Sequence, residues 1–150
     1  MNVIKFGGTS VANAQNIQRS INITKQKSEK EPVIVVVSAL GGVTDLLLNA
    51  ATLASEKQDT YKEIVQSIET RHLDTVKKLI PVAGQSAVLS HVKRELNRLE
   101  TLLDGCSLLG ELSERTKDLI VSFGEMLSSY IISEALKAVS YTHLTLPTKA

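Results

Sequence analysis

The sequence predicts an α/β fold, because two apolar strands are separated by a helix and each strand is followed by a pair of glycines. Val3–Phe6 is a short apolar strand close to the N-terminus, and Val33–Val37 is a continuous β-branched run. Such a run is typical of a strand buried on both faces of a parallel sheet. The residues between the two strands recur at helical spacing, so together they predict a βαβ unit with parallel strands.

Two helices are predicted beside these strands. The first is expected over about Ser10–Lys27, with Thr9 and Ser10 as N-cap residues, and it closes before Pro32. The second follows Gly42 and carries leucines and alanines at helical spacing. Both glycine pairs then lie at the carboxyl ends of strands, where open α/β sheets bind ligands.

Residues 55–138 are expected to be mostly helical. One apolar stripe ends at Pro81, and a second ends near Gly105. Ser113 is expected to cap a further helix that ends near Ala138. A short turn and another buried strand are expected after that helix.

Length and composition fit one globular domain or part of one. The 150 residues are 43% hydrophobic and 22% charged, which is ordinary for a globular protein. Lys and Arg number 17 against 16 Asp and Glu, so the net charge is +1, and no basic tract stands out. This balance argues against a nucleic-acid partner.

The cysteine and histidines do not indicate a disulfide or a metal site. Cys106 is the single cysteine, which favours a reducing cytoplasm, and it is expected to be a small buried residue. His72, His91 and His143 lack metal-ligand spacing and are expected on the surface.

No signal peptide precedes the first strand and no apolar run approaches the roughly 20 residues that span a membrane, so we expect a cytoplasmic protein without a membrane partner.

The first glycine pair follows a lysine at the end of a strand. Gly7 and Gly8 allow a sharp turn and a close approach of a ligand, and Lys5 places a positive charge beside them. Free backbone N–H groups and the dipole of the following helix would favour an anion at the same place. The spacing therefore indicates either a phosphate site or an ordinary strand-to-helix turn.

The residue identities in this N-terminal motif are more specific for a protein family than the spacing of its lysine and glycines. Lys5–Val11 resembles the opening signature of aspartate kinases, which are members of the amino-acid kinase superfamily. Val33–Asp45 is similar to the second glycine loop of that family, and Ser122–Ser128 resembles its Gly-Glu helix motif. Gly105–Gly110 looks closest to the kinases that are fused to a homoserine dehydrogenase. The resemblance covers Met1 to about Val139.

The resemblance implies an N-terminal portion, residues 1–139, of a mainly parallel-sheet amino-acid kinase domain with a helical insertion. It implies transfer of the ATP γ-phosphoryl group to the β-carboxylate of L-aspartate, the first step in lysine, threonine and methionine biosynthesis. Mg²⁺ would be carried with the nucleotide, and the full-length protein is expected to be a homo-oligomer. The isolated chain is expected to be inactive, because the adenine pocket and further substrate-binding residues would lie beyond it.

The resemblance also assigns roles to individual residues. Lys5 would neutralise charge on the transferred phosphoryl group, and Glu125 would pair with the α-ammonium of aspartate. Gly124 would remove side-chain bulk so that substrate approaches closely. Asp45 stands where the family usually has Asn and is left out of the site. The remaining expected contacts are to ATP phosphates through Gly7, Gly8, Thr9, Gly41 and Gly42, and to substrate through Ser38 and Thr44.

Some of these assignments have plain structural alternatives. Lys5 could be a solvated lysine at a strand end, Ser38 a satisfied strand-end hydroxyl, and Glu125 an exposed helix glutamate. At the level of function, a kinase for glutamate or acetylglutamate remains open, as does a non-enzymatic helical interaction module.

Residues 140–150 break from the family pattern. We expect them to be a non-native tail, since the family usually supplies a glycine and an apolar strand at this point. The alternative is a divergent edge strand in which Leu144 and Leu146 alternate with polar residues.

Overall fold

The computed structural model describes the backbone of residues 1–148 and the side chains of residues 1–140. These residues form a mixed α/β structure in which a small parallel sheet lies against a larger helical part. The elements in chain order are β1 (Asn2–Phe6), α1 (Ala14–Ser28), β2 (Val33–Val37), α2 (Val43–Ser55), α3 (Tyr61–Leu79), α4 (Val82–Leu109) and α5 (Glu114–Thr148).

The predicted parallel pairing of the two strands is confirmed. Asn2 pairs with Val33 and Phe6 pairs with Val37, so the strands are in register along their whole length. The backbone N–H of Ser38 continues the ladder by donating to the carbonyl of Phe6 at 3.1 Å. The carboxyl ends of both strands therefore lie side by side, which places the two glycine pairs next to each other.

The prediction that β2 is buried on both faces is wrong. Ile34 and Val36 are 49% and 44% exposed, and Val3 on the neighbouring strand is 66% exposed. Helices α1 and α5 contact β2, and the alternation of burial along it shows that only one face is covered within the described residues. A β-branched run records a preference for strand structure and burial, but it does not fix how many layers cover it.

Helix α1 begins later than predicted. Its N-cap is Asn13, whose Oδ1 accepts a hydrogen bond from the N–H of Asn16 at 2.9 Å. Asn is among the best N-cap residues, and the backbone of Asn13 is extended, as a cap requires. Thr9 instead lies in a turn, where its carbonyl accepts from Asn16 Nδ2. The expectation that Thr9 and Ser10 cap this helix is therefore wrong.

The helical part agrees with the sequence at two boundaries and differs from it at the end of α4. Helix α3 ends before Pro81, as predicted, and Ser113 Oγ caps α5 by accepting from the N–H of Thr116 at 3.1 Å. Helix α4, however, passes through Gly105 and ends at Gly110, whose φ of 68° is the left-handed conformation of a C-cap. Gly105 is not in that conformation, so it weakens the helix without ending it.

The core is aliphatic and is organised around α2. Leu47, Ala50 and Ala54 are fully buried, and α2 packs against α3, α4 and α5. Cys106 is buried, as predicted. His72 is fully buried as well, so the expectation that it lies on the surface is wrong.

Helix α5 is the longest helix of the described chain. By length and composition alone, the stretch Glu114–Ser140 could cross a membrane. Phe123, Leu127 and Ile131 are nevertheless buried against the rest of the chain, which favours a core helix. The helix also continues past Ala138 to Thr148, so the turn and the further strand predicted after Ala138 are not found in residues 139–148, which contain no glycine to end the helix. The side chains of the predicted non-native tail after Ser140 lie outside the described residues, as does the side chain of His143.

Candidate active site

Three segments that are far apart in sequence meet at the carboxyl ends of the two strands. The first glycine loop, residues 7–13, follows β1, and the second glycine loop, residues 38–42, follows β2. Residues 124–128 of α5 pack against the second loop. All nine residues that the sequence assigned to the site lie in or next to these three segments.

The first glycine loop is open on its outer side. A Cβ atom added to Gly7 or to Gly8 would meet no other atom of the described residues within 4 Å. Neither residue has a positive φ, so neither the backbone conformation nor the packing demands glycine at these positions. The open space leaves room for a ligand to approach the main chain closely.

Lys5 is the charged residue nearest to this loop along the chain, and its charge is unpaired within the described residues. It is exposed on β1, two residues before Gly7, and it forms no hydrogen bond or ion pair with the described residues. Thr9, in the loop itself, is exposed as well. The predicted positions of both residues at the end of the strand are confirmed, but their roles stay predictions.

The second glycine loop is tightly constrained. Gly42 has a φ of 81° and is the N-cap of α2, so its left-handed backbone requires glycine. A Cβ atom on Gly41 would lie 3.1 Å from the Cβ of Ala12 and 3.3 Å from the carbonyl oxygen of Gly8. The absence of a side chain at Gly41 thus allows the two loops to pack directly on each other.

Helix α5 is held against the second loop by a glycine and a serine. A Cβ atom on Gly124 would lie 2.9 Å from the Cβ of Ala39 and 3.2 Å from Leu47 Cδ1. One turn later, the fully buried Ser128 donates its hydroxyl to the carbonyl of Ser38 at 2.6 Å. Gly124 therefore serves protein packing, and the expectation that it admits substrate is wrong.

This docking places Glu125 beside the second loop with an exposed carboxylate. The side chain of Glu125 forms no hydrogen bond or ion pair with the described part of the chain. The hydroxyls of Ser38 and Thr44 also have no protein partner there. The alternative that Ser38 is a satisfied strand-end hydroxyl is therefore not supported, since only its backbone groups are bonded. One carboxylate and two hydroxyls remain available to a ligand.

The arrangement suits a ligand with a negative and a positive group. Lys5 and the N-terminus of α2 supply positive potential at the strand ends. Glu125 supplies negative charge on the neighbouring helix, where it could accept hydrogen bonds from an ammonium group. Such a site could hold a phosphate and an amino acid side by side.

Two residues of this region were missed by sequence reasoning. Ser128 ends the Gly-Glu motif without a predicted role, although its hydroxyl is bonded to the carbonyl of Ser38. Arg71, on α3, donates from Nη2 to the carbonyl of Ala12 in the first glycine loop at 2.6 Å. Neither contact has a local sequence signal, because each joins residues at least 59 positions apart.

Known proteins are similar to this chain over most of its length. It is 36% identical over 140 residues to aspartokinase 1 of Arabidopsis thaliana, a match that covers 91% of this chain and 23% of the relative. It is 29% identical over 136 residues to bifunctional aspartokinase/homoserine dehydrogenase 1 of Zea mays, covering 90% of this chain and 15% of the relative.

A solved structure shows the same fold. The crystal structure of aspartokinase III of E. coli, in complex with aspartate and ADP, superimposes with a TM-score of 0.78 and 26% sequence identity. The match covers 93% of this chain and 29% of that chain, so the chain spans less than a third of the length of these proteins. The family model described as the amino acid kinase family matches residues 1–149. The chain therefore belongs to the amino acid kinase family.

Proposed function

We propose that this chain is the N-terminal part of an aspartate kinase, which transfers the γ-phosphoryl group of ATP to the β-carboxylate of L-aspartate. The observation that carries the proposal is the open space over Gly7 and Gly8 beside the unpaired Lys5. The solved relative was crystallised with aspartate and ADP, which are a substrate and a product of this reaction. Relatives named aspartokinase, with and without a fused dehydrogenase, support the same activity.

The phosphates of ATP would lie over the first glycine loop. Backbone groups of Gly7, Gly8 and Thr9, with Gly41 and Gly42 of the second loop, would contact phosphate oxygens. Lys5 would neutralise charge on the phosphoryl group as it moves, and such preorganised charge is a large contribution to catalysis. Mg²⁺ would arrive with the nucleotide, and we assign it no protein ligand.

Aspartate would lie on the exposed side of the second loop, next to Glu125 of α5. Its β-carboxylate is ionised at pH 7, since a free Asp side chain has a pKa of about 3.9, so no general base is required. The hydroxyls of Ser38 and Thr44 would donate to carboxylate oxygens. Glu125 would accept hydrogen bonds from the α-ammonium group and so select an amino acid with its carboxylate at the right distance.

The wider setting follows from the same proposal. The product, 4-phospho-L-aspartate, opens the biosynthesis of lysine, threonine and methionine, and we propose a cytoplasmic homo-oligomer for the full-length protein. The 150 residues alone would hold one side of the site. We therefore expect no aspartate-dependent release of ADP from the isolated chain, and saturable activity in a coupled assay would contradict that expectation.

A substrate panel on the full-length gene product tests the proposal. ADP release is measured with ATP and L-aspartate, L-glutamate or N-acetyl-L-glutamate at equal concentrations. We expect L-aspartate to be the preferred acceptor. A preference for either of the other acids would reassign the substrate within the family, and the absence of both turnover and ATP binding would favour the non-enzymatic module.

A further inference from the structure

Arg71 is the feature of the described chain that the proposed function has not used. It lies near the middle of α3, an element that the sequence placed outside the site, yet its guanidinium reaches the glycine loops. Nη2 donates to the carbonyl of Ala12 at 2.6 Å. Nη1 lies 3.9 Å from the position that a Cβ atom on Gly42 would occupy. One side chain therefore touches the first loop and lies next to the second.

The contact ties the first loop to α3 at the point where the two loops meet. Gly41 already packs on Ala12 and on the carbonyl of Gly8, so the loops are in direct contact. This packing leaves the Ala12 carbonyl to a donor from α3, 59 residues away in sequence. A planar guanidinium holds such a carbonyl in a more fixed arrangement than a flexible ammonium does.

The charge of Arg71 is not balanced by a carboxylate. The ion pairs between described side chains join Lys93 to Glu69, Arg98 to Glu95 and Lys137 to Glu134, and none includes Arg71. Its bonded partner is a neutral carbonyl. It also lies next to the N-cap of α2, the positive end of a helix, where a second positive charge is unfavourable unless an anion is near.

We propose that Arg71 is a positioning residue of the nucleotide site, which fixes the first glycine loop against the start of α2 and adds positive potential for the phosphates. The inference rests on the proposed function, because it takes the anion at the loops to be the phosphates of ATP. Arg71 acts by holding the first loop and by adding positive electrostatic potential, whereas Lys5 is the group proposed to contact the transferred phosphoryl group. Loss of Arg71 should therefore weaken nucleotide binding more than it changes aspartate binding.

The test measures the Kd of Mg·ATP for the full-length gene product by titration calorimetry, together with its melting temperature. Arg71→Ala should raise the Kd about tenfold, because the first loop loses the donor that holds it and the phosphates lose a nearby positive charge. Arg71→Lys keeps the charge and should recover part of the affinity. Arg19→Ala is the matched control, because Arg19 is an exposed arginine on α1 with no bonded partner among the described residues.

The possible results separate this inference from the proposed function. An unchanged Kd in Arg71→Ala, with normal ATP binding by the parent protein, would overturn the inference alone. A lower melting temperature with an unchanged Kd would mean a purely structural arginine and would also overturn it. Absence of ATP binding by the parent protein would overturn the proposed function. Normal ATP binding with no phosphorylation of aspartate would reject the proposed acceptor. The Kd values of the Arg71 variants would still decide the inference about Arg71.

Discussion

The two glycine loops carry the same pair of residues for different physical reasons. In the second loop, Gly42 adopts a left-handed backbone and Gly41 lies against Ala12, so the fold itself requires glycine. In the first loop, a side chain on Gly7 or Gly8 would meet only open space, and neither backbone is left-handed. Within the described residues, a fold-based reason exists for the second pair and not for the first. Under the proposed function, the first pair leaves this space for the phosphates of ATP.

The largest expected effect concerns the open loop. Lys5→Ala in the full-length protein should lower kcat on the order of 10²-fold or more, as the loss of a preorganised charged donor does in other enzymes. Glu125→Ala should instead raise the KM for aspartate and leave that for ATP nearly unchanged, the result of lost substrate binding. Steady-state kinetics with each substrate varied separately distinguishes the two.

Matched controls are available for both variants. Lys62→Ala and Glu100→Ala remove exposed side chains that form no ion pair with the described residues, and both should have parental kinetics. Normal kcat in Lys5→Ala would reject the phosphate site at the first loop. Unchanged aspartate kinetics in Glu125→Ala would show that Glu125 is an exposed helix residue without a role in substrate binding.

The next largest effect is expected where α5 packs tightly against the second glycine loop. Gly124→Ala would place a Cβ atom 2.9 Å from Ala39 and should destabilise the chain through overpacking, which typically costs about 1–3 kcal/mol. Gly105→Ala is the control, because it lies inside α4 with nothing within 4 Å and should gain roughly 0.5–1 kcal/mol of helix propensity. Urea unfolding of the two variants gives the difference directly. Equal stabilities would show that α5 can shift away from the second loop.

A smaller effect is expected at the left-handed glycine. Gly42→Ala should cost about 1–2 kcal/mol, because an L side chain is strained at a φ of 81°. Gly42→Asn should cost less, since Asn tolerates this conformation better. Thermal unfolding of both variants measures the effect. An alanine variant as stable as its parent would mean that the loop relaxes. The left-handed backbone of Gly42 would then no longer distinguish the second loop from the first.

The smallest expected effect is a pH dependence of stability that arises in the buried core, outside the candidate site. His72 is fully buried next to Arg71; its Nδ1 is bonded to the carbonyl of Ile68, and its Nε2 has no partner among the described residues. Burial, and then the charge of Arg71, lower the pKa of His72 below 6.5, with the bond to Ile68 opposing them. The unfolded chain then binds more protons, so stability should be full above about pH 6.5 and fall as the pH drops below it.

Urea unfolding between pH 5 and pH 7.5 tests this pH dependence. His72→Gln cannot become charged in this range, and it should reduce the acid loss of stability even if it lowers stability overall. The same slope in the parent and the variant would assign the acid sensitivity to other groups.

The sequence anticipated the elements of the site better than their supports. The strands, their parallel pairing and the glycine pairs at the strand ends follow from local patterns, and all three are confirmed. The braces formed by Arg71 and Ser128 were missed, because their contacts depend on how α3 and α5 pack. The role of Gly124 was misassigned for the same reason. Local sequence shows that a glycine is present, but only packing shows what occupies the space beside it.

The start of α1 illustrates a different limit. Thr9, Ser10 and Asn13 are all acceptable caps, and the sequence alone does not rank three candidates within five residues. The structure selects Asn13, because the preceding residues are used in the first glycine loop. The first glycine loop therefore runs to Asn13 rather than ending at Ser10.

The most direct test of the central claim is a paired measurement on Gly8→Ala in the full-length protein. The open space beside Gly8 predicts a free energy of unfolding within about 0.5 kcal/mol of the parent, the range of ordinary surface substitutions. The same substitution should raise the Kd of Mg·ATP at least about tenfold, or roughly 1.4 kcal/mol, because the added methyl group occupies the space proposed for phosphate. Loss of stability with unchanged ATP affinity would show that the first glycine pair serves the fold and would contradict the account.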